Sequence, residues 1–164
     1  MPQLTAELAE LVAIPSVSES GFPETSRPAL LRARDAVAAL FEDAGCARVG
    51  SLELPDTAPT VTAEIPAPEG APTVLLYSHY DVVPPGDLSQ WHTPPFEPTE
   101  RDGAIFGRGT ADTKSNIMTH VGALRAWGGR PPVGVKVVIE GMEEVGGGAV
   151  TTTRRRTRRC STPM

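Results

Sequence analysis

Between Arg48 and Gly141 the chain alternates short strand-like runs with a helical stretch, and this alternation restricts its fold more than any other feature. The runs ARVGSLEL, TVTAEI and TVLLYSH come first, separated by turns rich in Pro, Asp and Gly. The segment from Asp81 to Gly103 holds five prolines and is predicted to be an irregular covering loop. AIFGRG reads as a short strand entering a glycine turn, and GVKVVIEG as a further strand. Between them, DTKSNIMTHVGALRAWGG reads as a helix, with Asp112 as its N-cap, Ile117, Val121 and Leu124 facing inward, and Gly128 as its stop. Two helices precede the strands. One carries Leu4, Leu8, Leu11 and Val12 on one face and stops before Pro15. The other has the stripe Leu30, Ala33, Val37, Leu40, Phe41 and ends at Gly45. The expectation is an α/β layered domain: a mixed, at least partly parallel sheet flanked by helices.

Composition narrows the function classes. A chain of 164 residues can bury one real core, and 40% hydrophobic with 21% charged residues excludes a disordered segment. No apolar run approaches membrane-spanning length, so no membrane partner is expected. The amino terminus lacks a basic region before an apolar one, and the two cysteines, Cys46 and Cys160, do not suggest a disulfide framework. A cytoplasmic protein is the expectation. The formal charge of -5 hides an asymmetry: residues 1–150 hold all twenty acids, while residues 151–164 hold five arginines and no acid. An acidic body argues against nucleic acid as a partner.

Ligands of open α/β sheets gather at the carboxyl ends of strands. TVLLYSHYD delivers His79 and Asp81 from what reads as a buried run, and VKVVIEGMEE delivers Glu143 and Glu144 in the same way. GRGTAD brings Asp112 to the start of a helix through a turn whose glycines allow close backbone approach. Singly, such residues are ordinarily a structural histidine, a solvated turn and a helix cap. Together, at one edge of one sheet, they make the donor set of a hydrolytic zinc site. Asp81 is placed to orient the His79 imidazole. One of the two glutamates can bind metal while the other takes a proton from water. His92 reads as a loop residue beside the packing anchors Trp91 and Phe96, and His120 as structural. GRGTAD is not a dinucleotide fingerprint.

These residues also carry a resemblance. SHYDVVP, WHTPPFEPTERDGAIFGRGTADTKS and EGMEEVG are similar to the three signature blocks of a di-zinc metallopeptidase family. It includes glutamate carboxypeptidases, carnosine-type dipeptidases, acetylornithine deacetylases and succinyl-diaminopimelate desuccinylases. The resemblance implies two zinc ions, with cobalt or manganese as alternatives. His79 would bind one, Glu144 the other, and Asp112 would bridge them. Glu143 would be the general base, Asp81 would steer His79, and the Asp112–Thr113 peptide would be cis. The implied reaction is hydrolysis of an amide in a small peptide, with an N-acyl amino acid as the alternative substrate. Ser115 stands where many members have glycine.

The resemblance runs from LVAIPSVS to EEVG and implies a longer parent, homodimeric in many members, that supplies the remaining metal ligands. This chain is therefore expected to be an incomplete catalytic domain over residues 1–150, inactive alone and prone to aggregate at an open apolar sheet edge. A non-catalytic fragment with weak or no zinc binding is the alternative of another class. Residues 151–164 read as an unstructured tail from a shifted reading frame, since a chain with 13 arginines and 2 lysines implies GC-rich DNA.

Overall fold

Val61, Ala63 and Ile65 alternate with Thr62 and Glu64, and Val135, Val137 and Ile139 alternate with Lys136 and Val138. A period of two on both runs makes each a strand with one apolar face. The computed structural model describes residues 2–146, and in it these runs are the two central strands of a four-stranded sheet. In chain order the strands are β1 (Arg48–Leu52), β2 (Thr60–Ile65), β3 (Thr73–His79), β4 (Thr99–Arg101), β5 (Ala104–Phe106) and β6 (Gly134–Glu140). The sheet order is β1-β2-β6-β3, antiparallel except for the parallel β3–β6 pair, so it is mixed as expected.

Three helices, α1 (Pro2–Val12), α2 (Arg27–Asp43) and α3 (Ser115–Ala126), share a single core with the apolar face of β2 and β6. Leu30, Ala33, Val37 and Phe41 are buried along α2, one per turn of the helix. Ile117, Val121 and Leu124 do the same for α3. Where α2 and α3 end, Gly45 and Gly129 meet: a Cβ on Gly45 would stand 2.8 Å from Gly129 Cα, and both have positive φ. Glu7 of α1, Asp43 of α2 and Arg125 of α3 tie the three helices together, with Arg125 donating to both carboxylates. None of the described helices is long and apolar enough to cross a membrane.

Three expectations need correction. The VLLY run is not buried. β3 is an edge strand whose Val74, Leu75 and Tyr77 are 41%, 64% and 45% exposed, because no described element covers them. The covering loop is also shorter than expected: Thr99–Arg101 pairs with Ala104–Phe106 in a hairpin, turned by Asp102 and Gly103, both at positive φ. Third, Asp112 caps no helix. It lies inside a kinked segment, Thr110–Lys114, and α3 begins only at Ser115. The arginine-rich tail, 151–164, lies outside the described residues.

Candidate metal centre

Three chain segments converge at the carboxyl ends of β3 and β6. The first is held by the start of the chain. Ser16 Oγ donates to Tyr80 O at 2.7 Å, Val82 N–H to Ser16 O at 3.0 Å, and Tyr80 N–H to Glu140 O at 2.8 Å. These bonds extend the β3 direction past His79 and aim His79 and Asp81 at the site. Tyr80 is fully buried and donates to Pro59 O, which fixes the segment from below.

His79 is buried, and its Nδ1 lies 3.0 Å from Asp81 O and 3.4 Å from Asp81 Oδ1. Nδ1 therefore carries a proton, and Nε2 faces the opening, where a metal would displace its proton and take its lone pair. Burial would lower the imidazole pKa, but Asp81, and more weakly Glu143, raise it to about 9. Asp81 itself is fully buried and does more than steer the ring. Its Oδ1 accepts Glu143 N–H at 3.2 Å and its Oδ2 accepts Glu144 N–H at 3.1 Å, so one carboxylate pins the whole glutamate turn.

The third segment brings Asp112. Its peptide bond to Thr113 is cis, as the resemblance implied. Gly109 turns the chain into it at φ 84, where a Cβ would strike Val82. Asp112 Oδ1 stands 3.3 Å from His79 Nε2. His79, Asp112 and Glu144 each offer an atom within 4.8 Å of the other two. Glu143 flanks this trio, its Oε2 3.7 Å from His79 Nε2 and its side chain 43% exposed. Burial raises the Glu144 pKa, with Asp112 adding to the effect.

The donor set fits zinc. Two atoms each about 2.1 Å from one tetrahedral ion lie about 3.4 Å apart, and Nε2 to Oδ1 is 3.3 Å. One neutral imidazole and two carboxylates are also the ordinary ligands of a hydrolytic centre.

All five residues singled out in the sequence therefore meet in one place. Sequence reasoning passed over three more. Tyr77 Oη donates to Glu140 Oε1 at 2.9 Å, beneath His79. Glu140 is buried, its Oε2 has no partner among the described residues, and burial raises its pKa. Lys114, two residues past Asp112, is wholly buried and donates to Leu11 O and Ile14 O. Burial lowers its pKa to about 7, against the pull of Asp81. A lysine next to a ligand candidate, in a chain with only two lysines, was the available signal. His120 Nε2 lies 3.2 Å from Tyr77 O, and His92 is an exposed loop residue.

A model of peptidase family M20/M25/M40 matches residues 75–160, from β3 through the glutamate turn and into the arginine-rich segment. The chain belongs to this family. M20 peptidases are zinc-dependent metallopeptidases, in keeping with the donor set. A cysteinylglycine-S-conjugate dipeptidase from Corynebacterium striatum is 53% identical over 79 residues, which are 47% of this chain and 17% of that one. A Beta-Ala-His dipeptidase from Rattus norvegicus is 37% identical over 152 residues, 85% of this chain and 30% of that one. The chain thus spans less than a third of the length of these curated relatives. The crystal structure of human carnosine dipeptidase 1 superposes with a TM-score of 0.82 at 32% identity, covering 93% of this chain and 34% of that one.

Proposed function

We propose that this site is the zinc centre of an M20 hydrolase that cleaves the amide bond of dipeptides. The observation that carries the reading is the convergence of His79, Asp112 and Glu144 within 4.8 Å, with Glu143 beside them and open to solvent. The dipeptidase relatives support dipeptides as the substrate class. N-acyl amino acids present the same amide, so a deacylase is the second reading.

Each residue has a distinct task in this proposal. Asp81 holds the His79 tautomer and fixes where both glutamates start. His79 Nε2, Asp112 and Glu144 would hold the metal, His79 and Glu144 as ligands of different ions and Asp112 as a ligand of each. When bound, zinc polarises the scissile carbonyl and makes water a stronger acid near neutral pH. Glu143 Oε2 accepts the proton of the attacking water and passes it to the leaving nitrogen. Among the described residues each ion would have only two of these groups. The isolated chain is therefore proposed to bind zinc weakly and to hydrolyse nothing.

Calorimetric titration of the metal-free chain tests the site. Zinc binding should be weak, lost in His79→Ala and retained in Glu143→Gln. Tight uptake of two equivalents would overturn the ligand count, and an unaffected His79→Ala variant would overturn the site. An assay of the chain on cysteinylglycine, β-alanyl-histidine and N-acetyl amino acids should give no turnover. Preferential cleavage of either class would reject inactivity and separate the two substrate readings. We further infer that residues 151–164 come from a shifted reading frame. The nucleotide sequence from the codon of Glu140 past that of Met164 should then show an alternative frame that stays open, and early closure of every frame would reject this.

A further inference from the structure

We propose that Lys114 is a positioning residue of the metal centre: its buried ammonium fastens the Asp112 segment to the end of α1. The inference rests on the metal-centre reading above. Asp112 needs such a fastening. Its side chain is 80% exposed and, apart from the approach to His79, makes no described bond of its own. Its position is therefore set by its backbone. Ser78 Oγ lies 3.4 Å from Thr113 O, and Asn116 Nδ2 donates to Thr113 Oγ1 at 2.6 Å, so both act on the neighbouring residue.

Lys114 is the anchor. It is 0% exposed, and Nζ donates to Leu11 O at 2.8 Å and Ile14 O at 2.9 Å. Leu11 O lies in the last turn of α1 and Ile14 O two residues past its end, where the helix dipole favours a cation. Each also takes a backbone N–H, from Ile14 and Ser16 respectively, which keeps its direction fixed. The backbone N–H of Lys114 donates to Gly109 O at 2.9 Å, and its aliphatic stem lies against Gly109, where a Cβ would stand 3.3 Å from Cδ. Two residues earlier, a Cβ on Gly107 would stand 2.6 Å from Val12 Cγ1. The glycine turn, the lysine stem and the end of α1 thus form one packed unit, and Asp112 projects from its other side. Removing the ammonium leaves the carbonyl pair with one cation fewer and releases the segment two residues from Asp112.

Cobalt(II) titration of the metal-free chain, read by visible absorption well below the melting transition, separates positioning from simple stability. Lys114→Met should weaken cobalt binding at least tenfold and change the band intensity. Val37→Ala, a core variant far from the site, should lower the melting temperature while leaving both cobalt readings alone. Gly107→Ala pushes the turn away from α1 without touching Lys114 or Asp112. It should reproduce the cobalt defect, and it replaces Lys114→Met if that variant does not fold. Wild-type affinity and spectrum in the folded Lys114 or Gly107 variant would overturn the proposal, as would an equal cobalt defect in Val37→Ala. A wild-type chain that takes up no cobalt would overturn the metal reading as well.

Discussion

At the residue scale, Asp81 is the hub. Its backbone carbonyl takes the Nδ1 side of His79 at 3.0 Å, with the carboxylate 3.4 Å away, and that buried carboxylate accepts both backbone N–H groups of the glutamate turn. Asn in its place keeps one acceptor oxygen but presents an N–H₂ to a backbone donor. Asp81→Asn leaves the backbone carbonyl on Nδ1 in place but loosens the glutamate turn and removes the carboxylate beside the ring. It is expected to lower zinc affinity about 10-fold, the lower end of the effect of changing an outer partner of a ligating histidine. Competition with a chromophoric chelator measures it, and an unchanged affinity would show that His79 and Glu144 are aligned by other contacts. The signature blocks made Asp81 legible, but only as a partner of His79. Its second role was hidden because Glu143 and Glu144 are more than sixty positions away, and their backbone N–H groups are common to every residue type.

At the element scale, the joint between α1, α2 and α3 rests on Arg125 with Glu7 and Asp43. The Arg125 hydrogen bond holds the Glu7 carboxyl below its ordinary 4.5, against the opposing effect of partial burial. A carboxylate depressed in the folded state stabilises above its unfolded pKa, and that contribution fades as the pH falls through the folded value. Glu7→Gln should therefore lower stability by about 1 kcal/mol at pH 7, less at high salt. The gap to the parent chain should close as the pH drops below 4.5. Thermal melts at several pH values check this, and a gap that persists in acid would assign the loss to packing. The helices themselves were legible from their apolar spacing. The β4–β5 hairpin was overlooked although Asp102-Gly103 is a turn signal, because the prolines around it favoured an irregular loop.

At the scale of the whole molecule, the sheet is covered on one face and along part of its rim. Leu75 and Tyr77 stand on the opposite face, beside Lys136 and Val138, and Leu75 helps line an open cavity of about 390 Å³ that touches all four sheet strands. A long apolar edge strand is a template for pairing with other chains. Leu75→Lys should reduce self-association of the purified chain in sedimentation and light scattering, with little loss of stability, since Leu75 is largely exposed. Unchanged association would locate the sticky surface elsewhere.

Local pattern was enough to determine the three helices, the strands of the main sheet and its mixed character, and to single out five residues that converge, because helical and strand periods, turn residues and motif spacing are written within a few positions of one another. Tertiary structure alone decided three things. It left VLLY exposed, since burial depends on what packs against a strand and not on the strand's own residues. It turned Asp112 out of a capping role and toward His79. It also enclosed Lys114, whose acceptors come from 103 and 100 positions earlier in the chain and are backbone carbonyls that no sequence pattern marks.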